Sequence, residues 1–128
     1  MHSEPTDTAK EILVVDDDEA FARSLVDVLR SEGYRVTRAE NGRRALQILA
    51  LRGDHRPNLV LLDLDMPIMD GASFLDAYTA TRSFPLAPVV VLSGNLSGHS
   101  RRDAAAIVYL KKPVDLALLI DTIRLWAT

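Results

Sequence analysis

Two short apolar segments of the chain each run directly into carboxylates. Ile12–Val15 is followed by Asp16 and Asp17, and Leu59–Leu62 is followed by Asp63. The carboxyl ends of parallel strands lie at the edge of an open sheet where ligands bind, so neighbouring strands would bring these carboxylates together. Like charges in so small a space repel strongly, and a cation normally offsets that cost. Because an all-oxygen site favours a hard ion, the sequence predicts a Mg²⁺ site.

The composition is typical of a globular protein with one domain. The 128 residues are 48% hydrophobic and 26% charged, and the formal net charge is −3. So small an acidic excess predicts no direct binding to nucleic acid or to an anionic membrane. The apolar runs are far shorter than the roughly 20 residues that cross a bilayer. The chain has no cysteine, which excludes disulfides, thiolate metal sites and a cysteine nucleophile. We expect a cytoplasmic protein.

Short apolar strands alternate with amphipathic helices along the chain. Strands are predicted at Ile12–Val15, Tyr34–Thr37, Leu59–Leu62, Val89–Leu92 and Ile107–Leu110. Gly33 is predicted to end the first helix, and Asp115 to cap the last, which runs almost to Thr128. This alternation predicts an α/β fold with a doubly wound, five-stranded parallel sheet and helices on both faces. The polar residues 1–10 lack an apolar signal core, so we expect a flexible N-terminal tail before a domain at 11–128.

From Glu11 to about Trp126 the sequence resembles the receiver domains of two-component response regulators. The resemblance rests on landmarks at the strand ends, in the family's order: Val14-Val15-Asp16-Asp17, Leu62-Asp63-Leu64-Asp65-Met66-Pro67-Ile68-Met69-Asp70-Gly71, Ser93, and Lys112-Pro113. It implies a flavodoxin-like sheet with the strand order 2-1-3-4-5. The stretch between Ser93 and Lys112 is shorter than the family's by roughly one helical turn. We therefore expect a short or irregular fourth helix.

The resemblance also implies a role for each carboxylate. Asp63 would accept a phosphoryl group, since a carboxylate can act as a nucleophile and form an acyl phosphate. Asp16, Asp17, Asp63 and the backbone carbonyl of Asp65 resemble the family's Mg²⁺ ligands. The metal would neutralise charge on the phosphoryl oxygens.

Several further residues match family positions around that site. Lys112 would place a cation against the phosphoryl oxygens, and Ser93 would offer a hydroxyl that moves towards them. Tyr109 lies where the family often has an aromatic that swings between exposed and buried positions; the alternative is a static aromatic of the fifth strand. Asp65 and Asn95 occupy the positions that tune the lifetime of the phosphoryl group.

These roles imply a phosphoacceptor signalling module and not an enzyme, beyond self-phosphorylation from small acyl phosphates and autodephosphorylation. Its donor would be a histidine kinase or a histidine phosphotransfer protein, and its output partner is unknown. Since little sequence follows the last helix, we expect either a stand-alone receiver or a piece of a larger regulator or hybrid kinase. One alternative is a receiver-like adaptor that is never phosphorylated. Another is a haloacid-dehalogenase-type phosphohydrolase, suggested by Asp63-Leu64-Asp65 but opposed by Pro67 and by the mid-chain motif.

The last predicted helix, the fifth, has apolar residues outside its expected buried stripe. Leu116, Leu119, Ile120 and Ile123 recur at helical spacing and predict the buried face. Leu118 and Leu125 fall near the opposite side, with Trp126 on the flank. Scattered exposed leucines are ordinary in monomers; the alternative is a homodimer or partner contact through this helix.

Overall fold

Five strands alternate with helices in a computed structural model that describes residues 9–65, 71–80, 86–94 and 107–127. The strands are β1 (Glu11–Val15), β2 (Arg35–Ala39), β3 (Leu59–Asp63), β4 (Val89–Ser93) and β5 (Ile107–Lys111). The helices are α1 (Glu19–Ser31), α2 (Gly42–Arg52), α3 (Gly71–Ala80) and α4 (Leu116–Trp126). The strands form one parallel sheet in the order β2-β1-β3-β4-β5. The predicted fold class and strand order are confirmed.

Alternate residues of each central strand pack into two cores on opposite faces of the sheet. Leu13 and Val15 of β1 join one core with α2 and α3. Ile12 and Val14 join the other core with α1 and α4. Every residue of β3 and β4 is buried, as expected for strands that are covered on both faces. The two cores therefore fix the central strands, and with them the residues at their carboxyl ends.

Capping interactions fix both ends of α1. Asp18 is the N-cap, and its Oδ1 accepts a hydrogen bond from Phe21 N at 3.1 Å. At the other end, Gly33 has a φ of 96°, and Tyr34 N donates to Leu29 O at 3.1 Å. This is the bonding of a Schellman motif, in which the left-handed residue lies one position beyond the cap. The helix thus ends at Ser31. The predicted end at Gly33 is the residue with a left-handed backbone conformation that follows the C-cap.

Helix α4 begins as predicted but exposes part of its predicted stripe. Asp115 Oδ1 accepts from Ala117 N at 2.9 Å and from Leu118 N at 3.4 Å, so the predicted N-cap is confirmed. Leu116 is 46% exposed, and its predicted burial is wrong because it lies in the first turn, at the margin of the core. Leu118 and Leu125 are 51% and 76% exposed, as the sequence pattern indicated.

Some predictions fall on segments that the structure does not describe. The predicted fourth helix lies within 95–106, outside the described residues, and its short or irregular form stays a prediction. The same holds for residues 1–8 of the predicted tail. Lys10, in contrast, belongs to the sheet margin, where its carbonyl accepts from Arg35 N at 2.9 Å. No helix in the described part of the chain combines the length and apolar character needed to cross a membrane.

Candidate functional site

The carboxyl ends of β1 and β3 bring three carboxylates into one cluster. Val15 of β1 is in register with Leu62 of β3, so the next residues, Asp16 and Asp63, emerge side by side. Carboxylate oxygens of Asp16, Asp17 and Asp63 lie within 4.8 Å of one another. Asp16 and Asp63 are 3% and 4% exposed, whereas Asp17 is exposed to solvent. The structure therefore assembles the acidic cluster that the strand ends predicted.

The electrostatics of this cluster fit a hard divalent cation. Burial is the largest cause that raises the pKa of Asp16, and the nearby charge of Asp63 acts in the same direction. Together they outweigh the hydrogen bond from the amide of Asp18, which lowers the pKa, and the pKa is about 6. Such a shift means that the negative charge is poorly compensated by the surrounding protein. All donors in the cluster are carboxylate oxygens, which Mg²⁺ prefers. The residues thus fit Mg²⁺ on both charge and donor chemistry.

Asp63 also receives two hydrogen bonds from the protein. Its Oδ1 accepts from Lys112 Nζ at 2.7 Å and from the backbone amide of Asp65 at 3.1 Å. Burial alone lowers the pKa of Lys112, but the hydrogen bond and charge of Asp63 and the charge of Asp16 outweigh it and raise the pKa. Lys112 is therefore a fixed cation beside the buried carboxylate.

Backbone and side-chain hydrogen bonds join the carboxyl ends of β3, β4 and β5 around Asp63. Lys112 N donates to the carbonyl of Ser93 at 2.8 Å, which aligns the ends of β5 and β4. Gly94 N donates to Asp65 Oδ2 at 3.3 Å, and Lys111 Nζ donates to the carbonyl of Gly94 at 3.0 Å. Ser93 is fully buried at the last position of β4. The predicted residues Asp65, Ser93 and Lys112 thus lie together on neighbouring strand ends.

Arg38 is a residue of this edge that the sequence analysis did not find. Its Nε and Nη2 both donate to the backbone carbonyl of Asp16, at 3.2 and 2.8 Å. Arg38 is the penultimate residue of β2, and β2 is the neighbour of β1 at the margin of the sheet. A long basic side chain near the carboxyl end of the strand next to β1 is the sequence feature that could have indicated this contact.

An open cleft adjoins the acidic cluster. It has a volume of about 460 Å³ and is lined by residues from the end of β1, the start of α1 and the β5–α4 connection: Asp16, Asp18, Phe21, Lys112, Pro113 and Val114. The Lys112–Pro113 peptide bond is cis. Since Asp16 belongs to the acidic cluster and Lys112 contacts Asp63, a group that enters the cleft reaches the site directly.

The two remaining predicted residues have different standings. Tyr109 lies on β5 in register with Val91 of β4, and it packs half-buried against the core that includes α2 and α3. Its movement between two positions stays a prediction. Asn95 lies outside the described residues, so its tuning role stays a prediction as well.

Comparisons with known proteins agree on one family. Residues 12–124 match the family model described as the response regulator receiver domain. The transcriptional regulatory protein PdtaR of Mycobacterium tuberculosis is 34% identical over 120 residues, covering 91% of this chain and 56% of that protein. The chain spans about half the length of the first curated relatives that it matches.

Solved structures of similar proteins share the fold. The Vibrio cholerae chemotaxis protein CheY4 has a TM-score of 0.79 at 25% identity, covering 93% of this chain and 99% of that one. The receiver domain of the sensor histidine kinase PA1611 from Pseudomonas aeruginosa has a TM-score of 0.77 at 27% identity, covering 94% of this chain and 98% of that one. The latter structure has a magnesium ion coordinated in its active-site cleft.

Proposed function

The chain belongs to the response regulator receiver domain family, and from that premise we propose that Asp63 accepts a phosphoryl group from a phosphohistidine donor. Receiver domains are signalling modules and typically not enzymes. The observation that supports the proposal is the cluster of Asp16, Asp17 and Asp63, with Lys112 Nζ 2.7 Å from the carboxylate of Asp63. A buried nucleophile beside a fixed cation and a cation-binding cluster is suited to phosphoryl transfer.

In the proposed reaction, a carboxylate oxygen of Asp63 attacks phosphorus and forms an acyl phosphate. The bond between phosphorus and the donor imidazole breaks, and its electron pair returns to the imidazole nitrogen. Lys112 holds Asp63 before transfer and offers its charge to the phosphoryl oxygens afterwards. A bound Mg²⁺, held by Asp16, Asp17, Asp63 and the carbonyl of Asp65, would neutralise the phosphoryl oxygens.

The donor in this proposal is a histidine kinase or a histidine phosphotransfer protein. The cleft beside the cluster supports this, because its volume of about 460 Å³ leaves room for a side chain carried by another protein. Its lining combines apolar residues, among them Phe21 and Val114, with the charged Asp16 and Lys112. We place the receiver at residues 11–128, and its output partner is not identified.

We further propose that phosphorylation changes the surface through Ser93 and Tyr109. Ser93 ends β4 directly beside the strand that carries Asp63, so its hydroxyl can turn towards an attached phosphoryl group. Tyr109 lies on the adjacent β5, half-buried against the core. Its ring would fill the space that Ser93 leaves, as a population shift between two arrangements. Asp65 and Asn95 would set how long the phosphoryl group persists.

The proposal is tested by incubating the protein with Mg²⁺ and acetyl phosphate or phosphoramidate and measuring intact mass. We expect one phosphoryl group to be added to the wild type and none to Asp63→Asn. Asp18→Asn is a matched control, because asparagine caps a helix as well as aspartate does. A mass gain in Asp63→Asn would refute the acceptor assignment. No gain in the wild type would favour the adaptor, and steady turnover of a small phosphate ester would favour the phosphohydrolase.

A further inference from the structure

We propose that Arg38 is a positioning residue for the metal site, because its guanidinium fixes the peptide group between Asp16 and Asp17. This inference rests on the proposed Mg²⁺-dependent function and deepens it. It adds a side chain of the marginal strand β2 to a site that otherwise comes from the ends of β1, β3, β4 and β5.

Arg38 donates two hydrogen bonds from its guanidinium to the backbone carbonyl of Asp16. Nε and Nη2 of Arg38 donate to Asp16 O at 3.2 and 2.8 Å. Hydrogen bonds from a charged donor are stronger than neutral ones, and the planar guanidinium allows little rotation about the contact. The carbonyl of Asp16 is therefore held in direction as well as in place.

Two further hydrogen bonds hold Asp16, one through its backbone amide and one through its carboxylate. The amide of Asp16 donates to Ala39 O at 3.1 Å, and Asp16 Oδ1 accepts from Asp18 N at 2.9 Å. Two consecutive residues of β2 thus hold Asp16, Ala39 through its backbone and Arg38 through its side chain. The position of the first residue of the β1–α1 connection therefore depends on hydrogen bonds to β2.

The direction of the Asp17 carboxylate depends on the hydrogen bonds that hold Asp16. Its carboxylate is exposed, and within the described ranges no hydrogen bond restrains it, yet it lies within 4.8 Å of the other two carboxylates. Its direction follows from the peptide that joins it to Asp16, whose carbonyl Arg38 holds. If that peptide rotates, Asp17 turns away from the shared ion, and the site loses a ligand.

The charge of Arg38 and its positioning contact have opposite expected effects on Mg²⁺ affinity. A guanidinium near a divalent-cation site repels the cation, so removal of the charge alone would tighten Mg²⁺ binding. Loss of the positioning contact would instead weaken it. Residues that orient metal ligands typically change metal affinity by about tenfold to a hundredfold, and we expect the positioning effect to exceed the charge effect.

The test is a calorimetric Mg²⁺ titration of the wild type, Arg38→Gln and Arg38→Lys, with the folded state of each confirmed by urea unfolding. We expect both variants to bind Mg²⁺ about tenfold more weakly. Lysine keeps the positive charge but cannot donate the paired hydrogen bonds of the guanidinium. Arg35→Gln is the matched control, because it removes the same charge from the other end of β2. We expect its Mg²⁺ affinity to change by less than about twofold at physiological salt.

The outcomes separate this inference from the proposed function. Unchanged or tighter Mg²⁺ binding by Arg38→Gln would overturn the positioning role, as would wild-type affinity in Arg38→Lys. We expect Arg38→Gln to need about tenfold more Mg²⁺ than the wild type for half-maximal uptake of phosphoryl groups from acetyl phosphate. A wild type that binds Mg²⁺ but is never phosphorylated would refute the proposed function while leaving the Arg38 comparison valid. A wild type that binds no Mg²⁺ would refute both.

Discussion

Lys112 Nζ lies 2.7 Å from Oδ1 of Asp63, although 49 positions separate the two residues in the sequence. The contact crosses β4, since Lys112 follows β5 and Asp63 ends β3. It therefore depends on the alignment of three strand ends. Lys112 N donates to the carbonyl of Ser93 at 2.8 Å, and Leu64 N donates to the carbonyl of Leu92 at 2.9 Å. The sheet thus brings the carboxylate of Asp63 and the ammonium group of Lys112 together.

Replacement of Lys112 by glutamine should slow phosphoryl uptake by roughly a hundredfold, the usual effect of losing one preorganised electrostatic contact to a transition state. The measurement is the rate of mass gain from phosphoramidate at saturating Mg²⁺. Lys111→Gln is the matched control, because Lys111 carries the same charge but donates to the exposed carbonyl of Gly94. Equal slowing of both variants would show that the general charge of this edge matters and the contact to Asp63 does not.

The acidic cluster could be predicted from the sequence because it depends on strand ends alone. An apolar run predicts a buried strand, and the residue after it must lie at the carboxyl edge, whatever the details of packing. The helix cap at Asp115 was predictable for a similar reason, since the side chain satisfies amides only two and three residues away. Local chemistry and strand periodicity were sufficient for both.

The contact between Arg38 and Asp16 could not be predicted in this way. The predicted strand order already placed β2 beside β1, but Arg38 lay outside the predicted strand, and nothing in the sequence shows that its side chain reaches the end of β1. The prediction of β2 itself was displaced, since Tyr34 takes part in the end of α1 and the strand begins at Arg35. Leu116 was expected to be buried because helical periodicity reports a face of the helix and not where the core ends.

Asp17→Asn should weaken Mg²⁺ binding by about tenfold or more, because a neutral amide replaces one of the clustered carboxylates. Asp17 is exposed, so the free energy of unfolding without metal should change by less than about 0.5 kcal/mol. Calorimetric titration measures the first quantity and urea unfolding in chelator the second. Asp18→Asn removes the same charge one residue later and should retain most of the affinity; equal weakening by both variants would contradict a ligand role for Asp17.

The raised pKa of Asp16 predicts a pH-dependent cost to stability in the absence of metal. The pKa is about 6 in the folded protein against an ordinary value of 3.8, so between these values the folded state binds the proton and the unfolded state does not. The contribution of Asp16 to the free energy of unfolding therefore falls as the pH rises through this window and is constant above it. A shift of this size corresponds to a change of about 3 kcal/mol at most.

Asp16→Asn removes that cost, since asparagine is uncharged and its Oδ1 can still accept from Asp18 N. In chelator at about pH 8 the variant should be more stable than the wild type, and most of the difference should be lost near pH 4. Urea unfolding at the two pH values measures both. Added Mg²⁺ should then stabilise the wild type but not the variant. A variant that is less stable than the wild type at the higher pH would show that the charge of Asp16 is compensated within the protein.

Tyr78→Phe should destabilise the opposite end of the sheet without affecting the metal site. The hydroxyl of Tyr78 in α3 donates to Ala87 O at 3.0 Å and accepts from Ala87 N. Both residues are buried, and Ala87 lies just before β4 begins. Phenylalanine keeps the ring, whose centroid lies 5.5 Å from that of Phe74, but leaves buried polar groups of Ala87 without this partner. The free energy of unfolding should fall by about 1–3 kcal/mol, measured by urea unfolding, while Mg²⁺ affinity stays unchanged. Tyr109→Phe is the matched control, because Tyr109 is half-buried and we expect a smaller loss there. A loss in Tyr109→Phe as large as that in Tyr78→Phe would contradict the special role of the contact with Ala87.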